Sequence, residues 1–222
     1  MKKIKLIYSG ELMDHKIEPK KGTTTVGLTY NGGVVLATDQ RVTLGRMIVS
    51  RVDKVFPVTD NLAITTAGTV SDNQVLLKHM QAEMKLFELE NKKNATLETL
   101  SSVLQNTVYS GYKRWNPFMI QAIIAGLSKD KTFKLMSFDP SGAAIEDPYT
   151  ATGSGMMFAL GILQENYKEN MTEKDAIELA TRAIYTAIRR DSASGDGIVI
   201  AVIDKKGYRK VDTKTVSMIL EK

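Results

Sequence analysis

A layered α+β fold, with antiparallel sheets covered by helices, is what this 222-residue sequence predicts. Three observations carry that prediction. Short β-branched runs joined by tight turns fill the first third, so the strands there pair as antiparallel hairpins. The hydrophobic period then lengthens from that of a strand to that of a helix near Ser71. Finally, strands, two helices, strands, two helices and strands follow one another, which is not the regular alternation of a parallel βαβ array.

Each element has a local reason. Thr24 to Tyr30 is β-branched and alternating, and Asn31-Gly32-Gly33 supplies a hairpin turn, where asparagine and glycine tolerate positive φ. Val34 to Ala37 returns as the second strand. Met47 to Val52, Val55 to Val58 and Leu62 to Thr66 read as further short strands, with Asp60-Asn61 as a turn. Ser71 with Gln74 has the form of a capping box, and Leu76, Met80, Met84 and Phe87 follow at helical spacing. A second helix opens near Thr96, with Leu97, Leu100, Leu104 and Val108 on one face. It stops by Asn116-Pro117, because proline disfavours helix in the residue before it. Strands resume over Met119 to Gly126 and Thr132 to Phe138. A third helix is expected from Ser154 to Tyr167. Thr172 and Asp175 open a fourth, with the stripe Ala176, Leu179, Ala180, Ala183, Ile184 and Ala187. Ile198 to Ile203 reads as a buried strand, and Lys205-Lys206-Gly207 turns into a last one.

Composition narrows the function classes. Hydrophobic residues at 43% and charged residues at 25% describe a globular chain rather than a disordered one. Without cysteine there is no disulfide scaffold, no thiolate nucleophile and no cysteine-bound metal. His15 and His79 leave little material for a histidine metal site or a Ser-His-Asp triad, and no cofactor or metal is expected. The net charge of +5 is concentrated at the front, where residues 1–22 carry six lysines against three acids. No basic stripe marks the rest, so neither nucleic acid nor membrane is an expected partner. The composition shift at Pro19-Lys20-Lys21-Gly22 divides a leader, residues 1–22, from one folded domain, residues 23–222. The leader is no secretory signal, because Ile4 to Tyr8 is too short for an apolar core and Lys5 interrupts it.

Five short stretches could carry chemistry. Gly22-Thr23-Thr24-Thr25-Val26-Gly27 is either the start of a β-strand or a cleavage site that exposes Thr23. A free N-terminal threonine combines a hydroxyl nucleophile with an amine base of pKa ~7.7–8.0 and needs no histidine. Thr38-Asp39-Gln40-Arg41 is a solvated turn or, with Lys54, an ion pair beside that threonine. A lysine charge there disfavours protonation of the amine. Ala67-Gly68-Thr69 is a tight turn or a source of a backbone N–H for an oxyanion. Gly153-Ser154-Gly155 opens a helix, but neither a dinucleotide fingerprint nor a P-loop is completed. Asp191-Ser192-Ala193-Ser194-Gly195-Asp196-Gly197 is a turn without the spacing of a calcium loop. Each alone is more often structural than catalytic.

Together, and in this order, they resemble the β-subunits of the proteasome, N-terminal-nucleophile threonine proteases, most closely the archaeal type. The resemblance rests on Gly22 to Gly27, Ala37 to Arg41, Lys54-Val55-Phe56, Ala67-Gly68, Ala151 to Gly155 and Arg190 to Gly195. It implies a four-layer αββα sandwich, two antiparallel sheets between helix layers. Thr23 is then the nucleophile, released by autocatalytic cleavage of the Gly22–Thr23 bond. Asp39 and Lys54 tune it, Gly68 supplies the oxyanion N–H, and Ser154, Asp191 and Ser194 surround the threonine amine. Val42, Val52 and Thr66 line the pocket for the residue before the scissile bond, favouring hydrophobic side chains there. The implied partners are proteasome α-subunits, other β-subunits in a seven-membered ring with two β-rings stacked, an ATP-driven unfoldase acting through the α-ring, and unfolded polypeptide substrates, all in the cytoplasm. The rival readings are a non-catalytic ring subunit that keeps its leader, a nucleotide-binding enzyme using Gly153-Ser154-Gly155, and another N-terminal-nucleophile hydrolase.

Overall fold

The computed structural model describes residues 22–44 and 47–220. Residues 1–21, most of the expected leader with its lysines, lie outside the described residues. The first hairpin is as the sequence predicts. β1 (Thr24–Tyr30) and β2 (Gly33–Asp39) pair about Asn31-Gly32, with Gly32 at a φ of +101°. β3 (Arg41–Leu44) was not expected; it pairs with β4 (Met47–Arg51) as a separate two-stranded sheet. β5 (Val55–Thr59) and β6 (Leu62–Gly68) then lead into α1 (Val70–Asn91) and α2 (Leu97–Lys113).

The start of α1 corrects the capping box. The N-cap is Thr69 without a side-chain cap, and Ser71 lies inside the first turn. Asp72, which could have served that turn, instead accepts the Met119 N–H at 2.9 Å. The chain also leaves α2 earlier than Asn116-Pro117 requires, through Arg114 and the left-handed Trp115 at φ +58°.

β7 (Ile120–Leu127) and β8 (Phe133–Phe138) match expectation, whereas the short β9 (Ala144–Glu146) and β10 (Tyr149–Gly153) were not expected. Pro140, Gly142 and Pro148 around them read as loop. α3 (Met156–Asn166) is shorter at both ends than its apolar run suggests. α4 (Glu173–Arg190) opens where the sequence places it, with the Asp175 N–H donating to Thr172 Oγ1 at 3.2 Å. Its six-residue stripe is wholly buried. β11 (Ile198–Asp204), β12 (Gly207–Lys210) and the unexpected α5 (Thr213–Leu220) complete the order.

These elements form an αββα sandwich. One sheet has the order β10-β1-β2-β11-β12 and the other β5-β6-β7-β8-β9, with every pairing antiparallel. Val34, Leu36, Ala201 and Ile203 of the first meet Val55, Ala63, Ile123, Ala125 and Leu135 of the second. α3 and α4 cover the outer face of the first sheet, burying Val26, Leu28, Val35, Ala37 and Ile200, and α5 packs against α4 with Val216 in the same core. α1 and α2 cover the second through Leu76, Met80, Met84, Leu100 and Leu104. Strand β2 is therefore buried at every position, because both of its faces are covered.

Candidate active site

Strand register brings the expected residues to one edge of the sandwich. Thr25 pairs with Thr38, so Thr23 before β1 lies near Asp39 at the end of β2. Thr24 pairs with Gly153 on the other side, which delivers Ser154 to the same edge. Ile198 pairs with Asp39, so the loop 191–197 ahead of β11 also arrives there. From the second sheet come Lys54, just before β5, and Gly68, the last residue of β6.

Asp39 is fully buried and carries four donors, the full complement of a carboxylate. Lys54 Nζ at 2.8 Å and the Thr24 N–H at 2.9 Å share Oδ1. The Arg41 N–H at 3.0 Å and the Gly195 N–H at 2.9 Å share Oδ2. The Lys54 ammonium is buried as well, and burial holds its pKa below the ordinary lysine value against the opposing pull of Asp39. A further Nζ donor reaches the Gly22 carbonyl at 3.4 Å. That same carbonyl accepts the Thr23 hydroxyl at 2.6 Å. Hydroxyl and ammonium thus converge on the one carbonyl oxygen.

A second set holds the Thr23 nitrogen. Its N–H donates to Ser154 Oγ at 3.3 Å. Ser154 Oγ lies 2.5 Å from Asp191 Oδ2 and 3.3 Å from the Thr23 carbonyl; with one proton to give, it favours the shorter contact to the carboxylate. Ser194 Oγ donates to the same Asp191 oxygen at 2.7 Å, and the Ala193 N–H caps the other at 3.1 Å.

Gly22 is required by packing. A Cβ on it would stand 2.0 Å from the Ala193 carbonyl oxygen and 2.1 Å from the Ala193 Cβ. Gly153, at φ +90°, passes so close to the Thr23 carbonyl oxygen that a Cβ would lie 2.0 Å from it. The Gly22 N–H donates to Thr43 Oγ1 at 3.3 Å. A cavity of about 730 Å³ opens beside Thr23, and Val42, Val52, Phe56, Thr66, Val70 and Leu77 give it a largely apolar lining. All three residues expected in the substrate pocket face it. Gly68 also lines it, at φ +126°, yet no hydrogen bond from its N–H to the Gly22 carbonyl is found. In this chain with its Gly22–Thr23 bond intact, that oxygen is held by Lys54 and Thr23 instead.

The chain matches the family described as Proteasome subunit over residues 19–203. It belongs to that family. A proteasome subunit beta from Ferroglobus placidus is 42% identical over 204 residues, spanning 91% of this chain and 96% of the relative. One from Archaeoglobus profundus is 42% identical over 213 residues, 95% of this chain and 96% of the relative. A third, from Methanobrevibacter smithii, is 38% identical over 211 residues, 95% of this chain and the whole of the relative. The chain is thus a proteasome subunit of the archaeal β type. Among the described residues, no helix is long and apolar enough to cross a membrane.

Two contributors escaped the sequence reading of this β-type subunit. Arg41 was read only as part of a motif, but its guanidinium pairs with Asp196 at 2.9 Å and 3.2 Å and donates to the Ser192 carbonyl at 3.0 Å. It thereby pins the Asp191–Gly197 loop against β2. Ala193 sets the need for glycine at position 22, and a lone alanine in a serine-rich turn gives no signal of that.

Proposed function

We propose that this β-type subunit is a threonine endopeptidase of the proteasome core, with Thr23 as nucleophile after removal of residues 1–22. Residues 23–222 are then the peptidase domain. The observation that carries the reading is the convergence of Thr23 Oγ1 and Lys54 Nζ on the carbonyl of the very bond to be cut.

The first turnover acts on the chain itself. Thr23 Oγ1 bonds to the Gly22 carbonyl carbon as its proton leaves, and the negative charge that develops on the carbonyl oxygen faces Lys54. The bond from the Gly22 carbonyl carbon to the Thr23 nitrogen breaks, that nitrogen takes up the proton Oγ1 gave up, and an ester joins Gly22 to the threonine oxygen. Water then hydrolyses that ester, leaving a free Thr23 amine. In the mature enzyme this amine takes the proton from Oγ1 when a substrate carbonyl occupies the place of Gly22. Lys54 keeps it deprotonated near neutral pH by charge repulsion. Gly68 is assigned the oxyanion N–H in this second setting, once the leader no longer ties its carbonyl to Lys54. Asp39 holds Lys54 in place, and Ser154, Asp191 and Ser194 hold the amine. The apolar lining suits a hydrophobic residue before the scissile bond.

The assembly proposed is the one the family resemblance implies. Seven β-subunits form a ring, two such rings stack between α-subunit rings, and an ATP-driven unfoldase feeds unfolded polypeptide through the α-ring in the cytoplasm. Co-expression with an α-type subunit, intact-mass measurement and a fluorogenic-peptide assay test the proposal. The parent particle should begin at Thr23 and be active. Thr23→Ala should assemble, keep residues 1–22 and show no peptidase activity, whereas Thr23→Ser should still process. Release of the leader from purified Thr23→Ala particles would overturn autocatalysis. A parent chain that begins at Met1 in assembled particles would favour the non-catalytic ring subunit.

A further inference from the structure

We propose that Thr24 is a positioning residue, whose hydroxyl donates to Ser194 and so fixes the hydrogen-bond chain that holds the Thr23 nitrogen. The inference rests on the peptidase reading above and extends it to a residue outside the expected site.

The helix-facing side of β1 runs Thr24, Val26, Leu28, and the latter two enter the apolar core under α3 and α4. A valine would suit the first position equally well, and a buried hydroxyl without a partner is costly there. Thr24 is fully buried, and its Oγ1 lies 2.7 Å from Ser194 Oγ. The direction of that bond follows from proton counting. Ser194 has one proton and gives it to Asp191 Oδ2 at 2.7 Å. It must therefore accept from Thr24. The hydrogen bonds then run one way, from Thr24 to Ser194 to Asp191, with Ser154 giving its proton to the same oxygen and accepting the Thr23 N–H. The Thr24 N–H meanwhile donates to Asp39 Oδ1, the oxygen that receives Lys54. One residue thus ties the lysine side of the site to the serine side, directly beside the nucleophile.

Gly155 supplies an independent observation. Its φ of −90° is open to any residue, so the backbone does not demand glycine. A Cβ there would lie 2.1 Å from Thr24 Oγ1, and next 3.0 Å from the Ala187 Cβ. The glycine makes room for this hydroxyl.

The test uses the full chain assembled with its α-type partner, reading leader removal by intact mass and kcat and KM with a fluorogenic peptide. Thr24→Ala and Thr24→Val should slow processing and lower kcat roughly 10- to 100-fold, the range expected when a reacting group is displaced by about 1 Å. KM should stay within about 2-fold, because the substrate cavity is untouched. Thr24→Ser, which keeps the donor, should restore most of the rate. Gly155→Ala should lower kcat in the same way. The double variant Thr24→Ala with Gly155→Ala should lose much less than the two single losses combined, since the added methyl then meets no hydroxyl and keeps only its tight approach to the Ala187 Cβ. Parental kcat in assembled Thr24→Ala and Thr24→Val, a loss confined to KM, or fully additive effects of the two alanines would overturn the inference. Thr23→Ala is the separate control. Activity that survives it overturns the peptidase reading as well, whereas activity that needs Thr23 but ignores Thr24 overturns this inference alone.

Discussion

Asp39 and Asp204 stand at opposite ends of one ladder. β2 and β11 run antiparallel, so Asp39 pairs with Ile198 at one end and Asp204 with Gly33 at the other. Each closes its strand with a carboxylate, a nearby cation and a backbone donor. At the far end, Asp204 accepts Arg209 at 2.7 Å, Tyr30 OH at 3.1 Å and the Lys206 N–H at 2.7 Å. Arg209 there is shared with Glu173 at 2.7 Å and is one-third exposed. At the near end the cation is a buried lysine, all four carboxylate positions are filled, and a spare ammonium donor points at a carbonyl. Ion-pair chemistry alone therefore does not mark a site. What separates the ends is burial of the cation, together with a spare donor aimed at a peptide carbonyl rather than at a second carboxylate.

Lys54 gives the largest expected break in that comparison. Lys54→Ala in assembled particles should lower peptidase turnover by about 10²–10⁴-fold, the usual weight of assisted proton transfer. Lys54→Arg should be nearly as poor, because a wide planar fork cannot replace a compact ammonium in a buried space. Arg209→Ala should leave turnover within about 2-fold of the parent, a difference that reports no lost transition-state contact. Peptidase assays on the three variants, each checked for leader removal, decide this. Parental turnover in processed Lys54→Ala particles would take Lys54 out of the site.

Stability sharpens the same contrast on a smaller scale. Asp39→Asn leaves a buried ammonium without its countercharge, which typically costs about 3–5 kcal/mol. Asp204→Asn leaves Arg209 with Glu173 and with water, so about 1 kcal/mol is expected. Urea unfolding of the full-length chain would give both values. Equal losses would mean that burial does not separate the two ends.

Legibility in the sequence follows the same divide between local and distant causes. The β1–β2 hairpin and α4 were legible because their signals are local, a turn glycine at φ +101° and a threonine that caps its own helix. The α1 boundary was not, because Asp72 is recruited by Met119, 47 residues away in sequence. β9, β10 and α5 are short elements next to prolines or the chain end, where period counting has little to count. Of the site, the threonine, Asp39 and Lys54 were visible as residue types. That Ser154, Asp191 and Ser194 meet them depends on β1 pairing with β10 and β2 with β11, which no short window contains. Only the resemblance supplied those three. Thr24 and Ala193 were missed because their work is done through contacts more than 160 residues apart in the chain.

The smallest expected effect lies at the far end and is read through pH. Burial opposes ionisation of Asp204, but the Lys206 N–H, Arg209 and Tyr30 outweigh it and hold the carboxyl below its ordinary value. The folded state then binds fewer protons than the unfolded one in the acid range. Stability from Asp204 is present above about 3.9, the unfolded value, and is lost as pH falls through the lower folded value. Tyr30 has the opposite sign at the other extreme. Burial, with Asp204 and Glu173 nearby, pushes its pKa up, so above about 10 the unfolded state gives up a proton that the folded state retains. Its contribution therefore falls as pH rises past that value. Tyr30→Phe should cost about 1 kcal/mol at neutral pH, the net weight of its bond to Asp204, and the gap from the parent should narrow above pH ~10. In Asp204→Asn the gap should close instead below pH ~4. Urea midpoints of parent and variants across pH would check both signs. A Tyr30→Phe gap that widened in alkali would show that the tyrosine ionises more readily in the fold, contrary to the burial on which the comparison of the two ends depends.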